Sequence, residues 1–443
     1  MVDSPWTIDY GLSTISSYTC TMKGICFFLL LICYAATAQR LPDVVYMPNI
    51  KTVQLYQQNN QQSLPVINLN STDLLELHFD DLDGYAKNYY YTFELCNADW
   101  SPSDLSPFDY IHGYQNEHLT EYRMSSIAIT KYVHYQALLP DRNYMPTKSG
   151  NYLLRVYLDA DTSKIAFTKR FYVLNSKVQL AAQVLQTFNN QLYHSHQKVQ
   201  LSVDAGSLSL YNPQQQVSIT ILQNYRWDNA VTNIQPIFNR NNILEYNGEE
   251  DALFPGGKEY RWTDLRSFRF QSDRIQSIDL NAKPFEVYLR PDPVLVRQGY
   301  LFRQDLNGWY DISTSESVSP FWQGDYANVH FTFVPDRKQS FDGRDVYISG
   351  ALTGNNISAD AKMEYNESRG VFEKTLLLKQ GYYYYTYLSK DVNDNTVKPD
   401  AALTDGNAWE TENSYCIFVY YRSLSGRHDE LVAFTNINSK FGR

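Results

Sequence analysis

The chain has 443 residues, a formal net charge of −10 and 37 tyrosines. Its length exceeds one ordinary hydrophobic core and predicts two to four domains. The acidic balance argues against nucleic-acid binding, which requires a basic face, while tyrosine at this level favours strands and half-buried surfaces.

In chain order, the first signal is a leader. Met22-Lys23 opens a charged region, an apolar run follows from Ile25 to Ala36, and Ala36-Thr37-Ala38 satisfies the small-x-small rule for cleavage between Ala38 and Gln39. About a dozen apolar residues is short of the ~20 that span a bilayer. Residues 1–38 therefore read as an over-called start, with Met22 as the true start, followed by a signal peptide. Cys20, Cys26 and Cys33 would leave with it, and Cys96 and Cys416 would remain. An oxidising compartment permits a disulfide; the sequence leaves open whether these two meet.

Residues 39–175 read as a first β-sandwich. Leu75-Glu76-Leu77-His78-Phe79 alternates like a half-buried strand, and Tyr90–Leu95, Ile127–Ile129, Val133–Tyr135 and Tyr152–Leu158 follow, separated by turn chemistry. Residues 176–293 read as a second sandwich, with Val199–Val203, Val217–Ile221, Phe268–Phe270 and Val287–Leu289 as strands. Pro291-Asp292-Pro293 reads as a joint. Residues 294–443 read as a third sandwich, built on Val329–Phe333, Val346–Ser349, Leu376–Leu378 and Tyr382–Tyr387. The fold class is thus all-β, as tandem immunoglobulin-like sandwiches.

The order Cys96-Asn97-Ala98-Asp99-Trp100, Tyr110-Ile111-His112-Gly113, Tyr132-Val133-His134-Tyr135, Pro140 and Ser149-Gly150-Asn151-Tyr152 resembles the first domain of the plug proteins of the type IX secretion system. Thr411-Glu412-Asn413 with Val419-Tyr420-Tyr421-Arg422 is similar to that family's closing strands. The resemblance implies a periplasmic, non-enzymatic protein without cofactor or small-molecule substrate. Its implied partner is the large outer-membrane β-barrel translocon, whose periplasmic end it would seal from the inner face of the outer membrane. The stretch Val346–Tyr387 is similar to early-set sandwiches that include glycogen-binding modules, but no tryptophan follows Gly354-Asn355-Asn356. A carbohydrate- or cell-surface-binding sandwich, with Tyr382–Tyr385 stacking on sugar, is the alternative.

No Gly-x-Ser-x-Gly, His-Glu-x-x-His or Walker pattern occurs. An enzyme would have to rest on carboxylates such as Asp80 and Asp83, or on Cys96 with His112 or His134. His194-Ser195-His196 has a spacing zinc can use, and Asp391–Asn395 and Asp81–Gly84 begin like calcium loops but lack the remaining ligands. The expected assignment is no catalytic, cofactor or metal residue. For partner contact the candidates are Trp100, Phe108, Tyr110, Tyr114 and Trp409 (large, stiff aromatics of the type that anchor interfaces), with the rival reading that the Trp100–Tyr114 loop caps its own sandwich.

Overall fold

The computed structural model describes residues 42–114 and 116–440. The leader, including Ala38 and Gln39, lies outside them. Nearly every element is a strand, and the sheets pair into three sandwiches.

In the first sandwich, Ile50–Gln57, Leu75–Asp81, Val133–Leu139 and Tyr122–Met124 form one sheet. Val66–Asn68, Ile165–Leu174, Gly150–Leu158, Tyr89–Cys96 and Glu117–His118 form the other. Alternation dictates the packing: Tyr89, Tyr91, Phe93 and Leu95 all point into the core shared with Leu75, Leu77 and Phe79. Ile127–Ile129 is not a strand. Ile127 takes a positive φ of 59° and projects outward while Ala128 is buried.

The chain does not pass through its sandwiches in sequence order, which corrects the expected third segment at 294–443. The strands Ser414–Tyr421 and Glu430–Asn438 return to the second sandwich, where Ser414–Tyr421 pairs antiparallel with Val217–Gln223. Tyr415, Ile417 and Val419 fill the core with Val199, Leu201 and Val203. Conversely, Arg261–Asp264 leaves the second segment and pairs with Tyr382–Asp391 in the third sandwich. Residues Ile275–Asp279 and Phe285–Leu289 join the third sandwich as well. The expected joint at Pro291-Asp292-Pro293 therefore falls inside that sandwich, where Asp292-Pro293 pairs with Tyr326–Val334. Phe268–Phe270 is a bend that buries Phe268 and exposes Phe270.

Long-range pairing of this kind escapes local reading because a strand's alternation reports its period and not its partner. Its consequence is that two chain crossings join the second and third sandwiches. One runs from Leu253–Pro255 to Arg261–Asp264, and the other from Tyr382–Asp391 to Ser414–Tyr421.

Candidate functional site

The Trp100–Tyr114 loop leaves the strand Tyr89–Cys96 through a tight turn. The Asn97 N–H donates to the Ser101 carbonyl at 2.8 Å, and Trp100 adopts a positive φ of 67°. That backbone turns the Trp100 indole inward. It meets Tyr172 and Trp227 edge-on at 5.6 and 5.5 Å, with the Arg170 guanidinium over the Trp100 and Trp227 rings. Trp100 thus fills the joint between the first and second sandwiches, where Tyr172, Leu222, Phe418 and Tyr420 also pack. Tyr110 is buried in the first core beside Tyr152. Between them, Ser106 and Asp109 close a single helical turn, Pro107–Tyr110, through a 3.0 Å bond from the Ser106 N–H to the Asp109 carboxylate. This turn holds Phe108 outward, 76% exposed, and Tyr114 is 77% exposed. Arg427, on the turn between the two last strands, braces the loop by donating to the Asp104 carbonyl at 2.6 Å.

The five sequence candidates therefore divide. Trp100 and Tyr110 are consumed by internal packing. Trp409 is half-buried on the second sandwich, its N–H bonded to the His194 carbonyl and its own carbonyl accepting from Gln197. Phe108 and Tyr114 remain open to a partner. The segment that follows the loop also exposes Tyr122, Met124 and Ile127, none of which sequence reasoning proposed as a partner contact.

A second feature was legible only in part. The polar face of Leu75–Asp81 is covered, not solvated: Phe321 of the third sandwich stacks on His78 at 4.1 Å. Beneath it, Asp80 accepts from His134 Nδ1 at 2.7 Å, and His134 Nε2 meets His78 Nδ1 at 3.1 Å. The other Asp80 oxygen accepts from the Tyr326 hydroxyl and the Lys379 ammonium, each at 2.5 Å. Asp80 and Lys379 are both fully buried. Burial pushes the Asp80 carboxyl up, but Lys379 and His134 outweigh it and hold the group below its ordinary range. Burial pushes both histidines down, His78 to about 3, so each is neutral at pH 7. This chain of groups has the components of acid–base chemistry, yet every Asp80 oxygen is engaged and the site is sealed between two sandwiches. Its work is to join them. Asp325 adds to the joint by accepting the N–H groups of Ile129 and Thr130 at 2.6 and 3.1 Å.

The remaining chemical candidates resolve individually. Asp83 pairs with Lys87 at 2.5 Å. Cys96 and Cys416 are separate, buried thiols, and burial pushes each up to about 12. Cys96 is thus poorly suited as a nucleophile. His194 lies in an exposed turn, and His196 Nδ1 bonds the Ser195 hydroxyl at 2.8 Å. Asp81 is taken by Asn49, Lys87 and Tyr89, and Asp391 by the N–H groups of Asn393 and Asp394. Among the described residues, the one carboxylate group with metal-holding geometry is Glu259, Asp305 and Glu412, all buried.

In the tyrosine run, Tyr383 and Tyr385 belong to the third core, their hydroxyls donating to the Lys379 carbonyl and to Asp292. Tyr382 and Tyr384 face the opposite side, where Arg266 lies over Tyr382 and Arg303 lies 3.9 Å above the neighbouring Trp262. A sugar needs an open ring face, and here Tyr383 and Tyr385 are buried while guanidinium groups stack on Tyr382 and Trp262.

No helix among the described residues is long and apolar enough to cross a membrane. Residues 50–175 match the first domain of the type 9 secretion system plug protein. The crystal structure of a hypothetical protein from Parabacteroides merdae superposes with a TM-score of 0.86 at 31% identity, covering 89% of this chain and 98% of that one. Among curated proteins, none matches the chain. The first-domain match coincides with the sandwich that carries the Trp100–Tyr114 loop, and the whole-length likeness spans all three sandwiches. The chain belongs to the type 9 secretion system plug protein family, a family of secretion and not of catalysis.

Proposed function

We propose that this protein is exported by the leader ending at Ala38 and acts in the periplasm as a removable stopper for the outer-membrane translocon barrel. The mechanism is steric. Sandwich backbones satisfy most of their hydrogen bonds within the sheets, so a body built from them is a stiff obstruction for a wide opening. The observation that carries the reading is the buried Asp80–Lys379 joint. It fastens the first sandwich to the third across 299 residues of chain, as a stiff obstruction requires. Reversible seating calls for an interface of modest area with few strong anchors, and Phe108 and Tyr114 supply exposed aromatics in the family-matched domain.

The test is affinity capture of tagged residues 39–443 from detergent-solubilised outer membranes of the native cells. Wild type is expected to recover a very large β-barrel. The double substitution Phe108→Glu with Tyr114→Glu is expected to reduce that recovery by about tenfold or more. Because both side chains are exposed, its stability should stay within about 0.5 kcal/mol of wild type. Clean monomer from wild type in several detergents would count against the reading, whereas undiminished recovery by the variant would move the interface elsewhere.

A further inference from the structure

The two crossings between the second and third sandwiches meet at one point. Gly256 and Gly257 on the outgoing crossing are bonded to the returning one: the Asn413 Nδ2 donates to the Gly256 carbonyl at 2.8 Å, and the Ala408 N–H to the Gly257 carbonyl at 2.9 Å. The approach is close enough that a Cβ at Gly256 would lie 2.1 Å from the Ala408 carbonyl oxygen. Immediately beyond this contact stand Glu259 on one crossing and Glu412 on the other. Asp305, from the turn Asp305-Leu306-Asn307-Gly308 of the third sandwich, completes the group.

All three side chains are at least nine-tenths buried, and one oxygen from each lies within 4.8 Å of the others. Among the described residues, no Lys, Arg or His nitrogen comes within 4.0 Å of any of the three. The Lys440 ammonium instead sits over the Phe302 and Tyr300 rings, and Arg303 donates to the Tyr260 carbonyl. The hydrogen bonds present serve to orient the carboxylates. Tyr300 donates to Glu259 Oε1 at 2.5 Å, the Tyr260 and Asn307 N–H groups reach Asp305, and the amides of Asn307 and Asn438 reach Glu412. Two oxygens are left over: Glu259 Oε2 and Asn307 Oδ1 are buried with no hydrogen-bond partner. Burial and mutual repulsion push Asp305 up to about 7 and raise Glu259.

Three converging buried carboxylates with no cation in ion-pair contact are costly unless one joins them. We propose that Glu259, Asp305 and Glu412 bind one calcium ion that staples both chain crossings to the third sandwich. Calcium accepts irregular sets of oxygen ligands at 2.3–2.6 Å, so oxygens on opposite sides of one ion can stand roughly 4.6–5.2 Å apart. Magnesium is smaller and demands near-octahedral geometry at about 2.0–2.1 Å, which suits carboxylates spread this far apart less well.

The experiment uses residues 39–443 after chelation and exhaustive removal of the chelator, titrated calorimetrically with Ca²⁺ alone and with Mg²⁺ alone. The expected result is one Ca²⁺ per chain, bound at least about tenfold more tightly than Mg²⁺. Thermal unfolding should shift upward with Ca²⁺, and amide exchange should slow at residues 256–260 and 405–413. Glu412→Gln and Glu259→Gln should each weaken binding on the order of a hundredfold. Should a variant fail to fold, the wild-type arm decides alone. Absence of Ca²⁺ binding at millimolar concentration, with thermal unfolding and exchange unchanged by chelation, would overturn the proposal and leave the carboxylates to protons. Neither result depends on whether the protein seats in a barrel.

Discussion

Replacing Lys379 with methionine is expected to destabilise the protein by about 3–5 kcal/mol, the cost of leaving one member of a buried ion pair without its partner. Lys379 ends the strand Val371–Lys379, and its ammonium reaches Asp80 on Leu75–Asp81 with no water access to either. Methionine keeps roughly the side-chain length but removes the charge, and with it the ammonium that lies 4.2 Å over the Tyr132 ring. Asp80 then retains His134 and Tyr326, which donate hydrogen bonds but supply no full positive charge at neutral pH. A chain with several cores need not unfold in one step, so the loss should appear first as faster amide exchange around Tyr132–Tyr135 and Phe321–Tyr326. Combining Lys379→Met with Asp80→Asn should recover part of the stability, because the pair is worth less than either charge left alone costs. Exchange at the joint unchanged from wild type in the single variant would show that the two sandwiches are held by other contacts.

The second large effect is expected at Arg261, and it is internal to the third sandwich. Its guanidinium bonds Asp292 at 3.0 Å and Asp405 at 2.5 Å, and also donates to the Pro293 carbonyl. Both carboxylates are buried, and Asp292 additionally accepts from the Tyr385 and Tyr387 hydroxyls at 2.9 Å. Arg261→Met leaves Asp405 with Thr386 and no cation, for an expected loss of about 3–5 kcal/mol in urea unfolding of this sandwich. Arg274 also reaches Asp292, but it is partly exposed and leaves Arg261 in place, so Arg274→Met should cost less. Arg261→Lys should rescue only partly, since a point charge cannot fork between two carboxylates as a planar guanidinium does. A loss below about 1 kcal/mol in Arg261→Met would show that the pair of aspartates is neutralised by other means.

How far the sequence carried the fold depended on the range of the interaction. Period-two alternation located Leu75–Phe79 and Tyr152–Leu158 as strands, and the tyrosine run as part of one, because alternation is written locally. It could not say that Ser414–Tyr421 pairs with Val217–Gln223, since register across some 200 residues of chain leaves no local trace. The polar residues of Leu75–Asp81 show a different failure. Glu76 and His78 read as the polar side of a half-buried strand and Asp80 as a carboxylate an enzyme could use, and only the third sandwich, with Phe321 and Lys379, shows that the face is covered. Buried ion pairs have this property generally: each partner alone reads as surface. Among the site candidates, aromatic type alone could not separate Trp100 from Phe108. The separation comes from backbone, a positive φ turning Trp100 inward and a one-turn helix holding Phe108 outward. The Glu259, Asp305 and Glu412 group had no sequence signature, because its members come from three segments with no fixed spacing.

Sealing itself is tested most directly by outer-membrane permeability in cells that make the translocon. Deleting this protein while keeping the barrel should admit an antibiotic too large for ordinary porins, and the wild-type chain should restore the barrier. The Lys379→Met chain, if its first sandwich loosens from its third, should restore it incompletely. A barrier unchanged by the deletion, with the barrel present in the outer membrane at its normal level, would contradict the account.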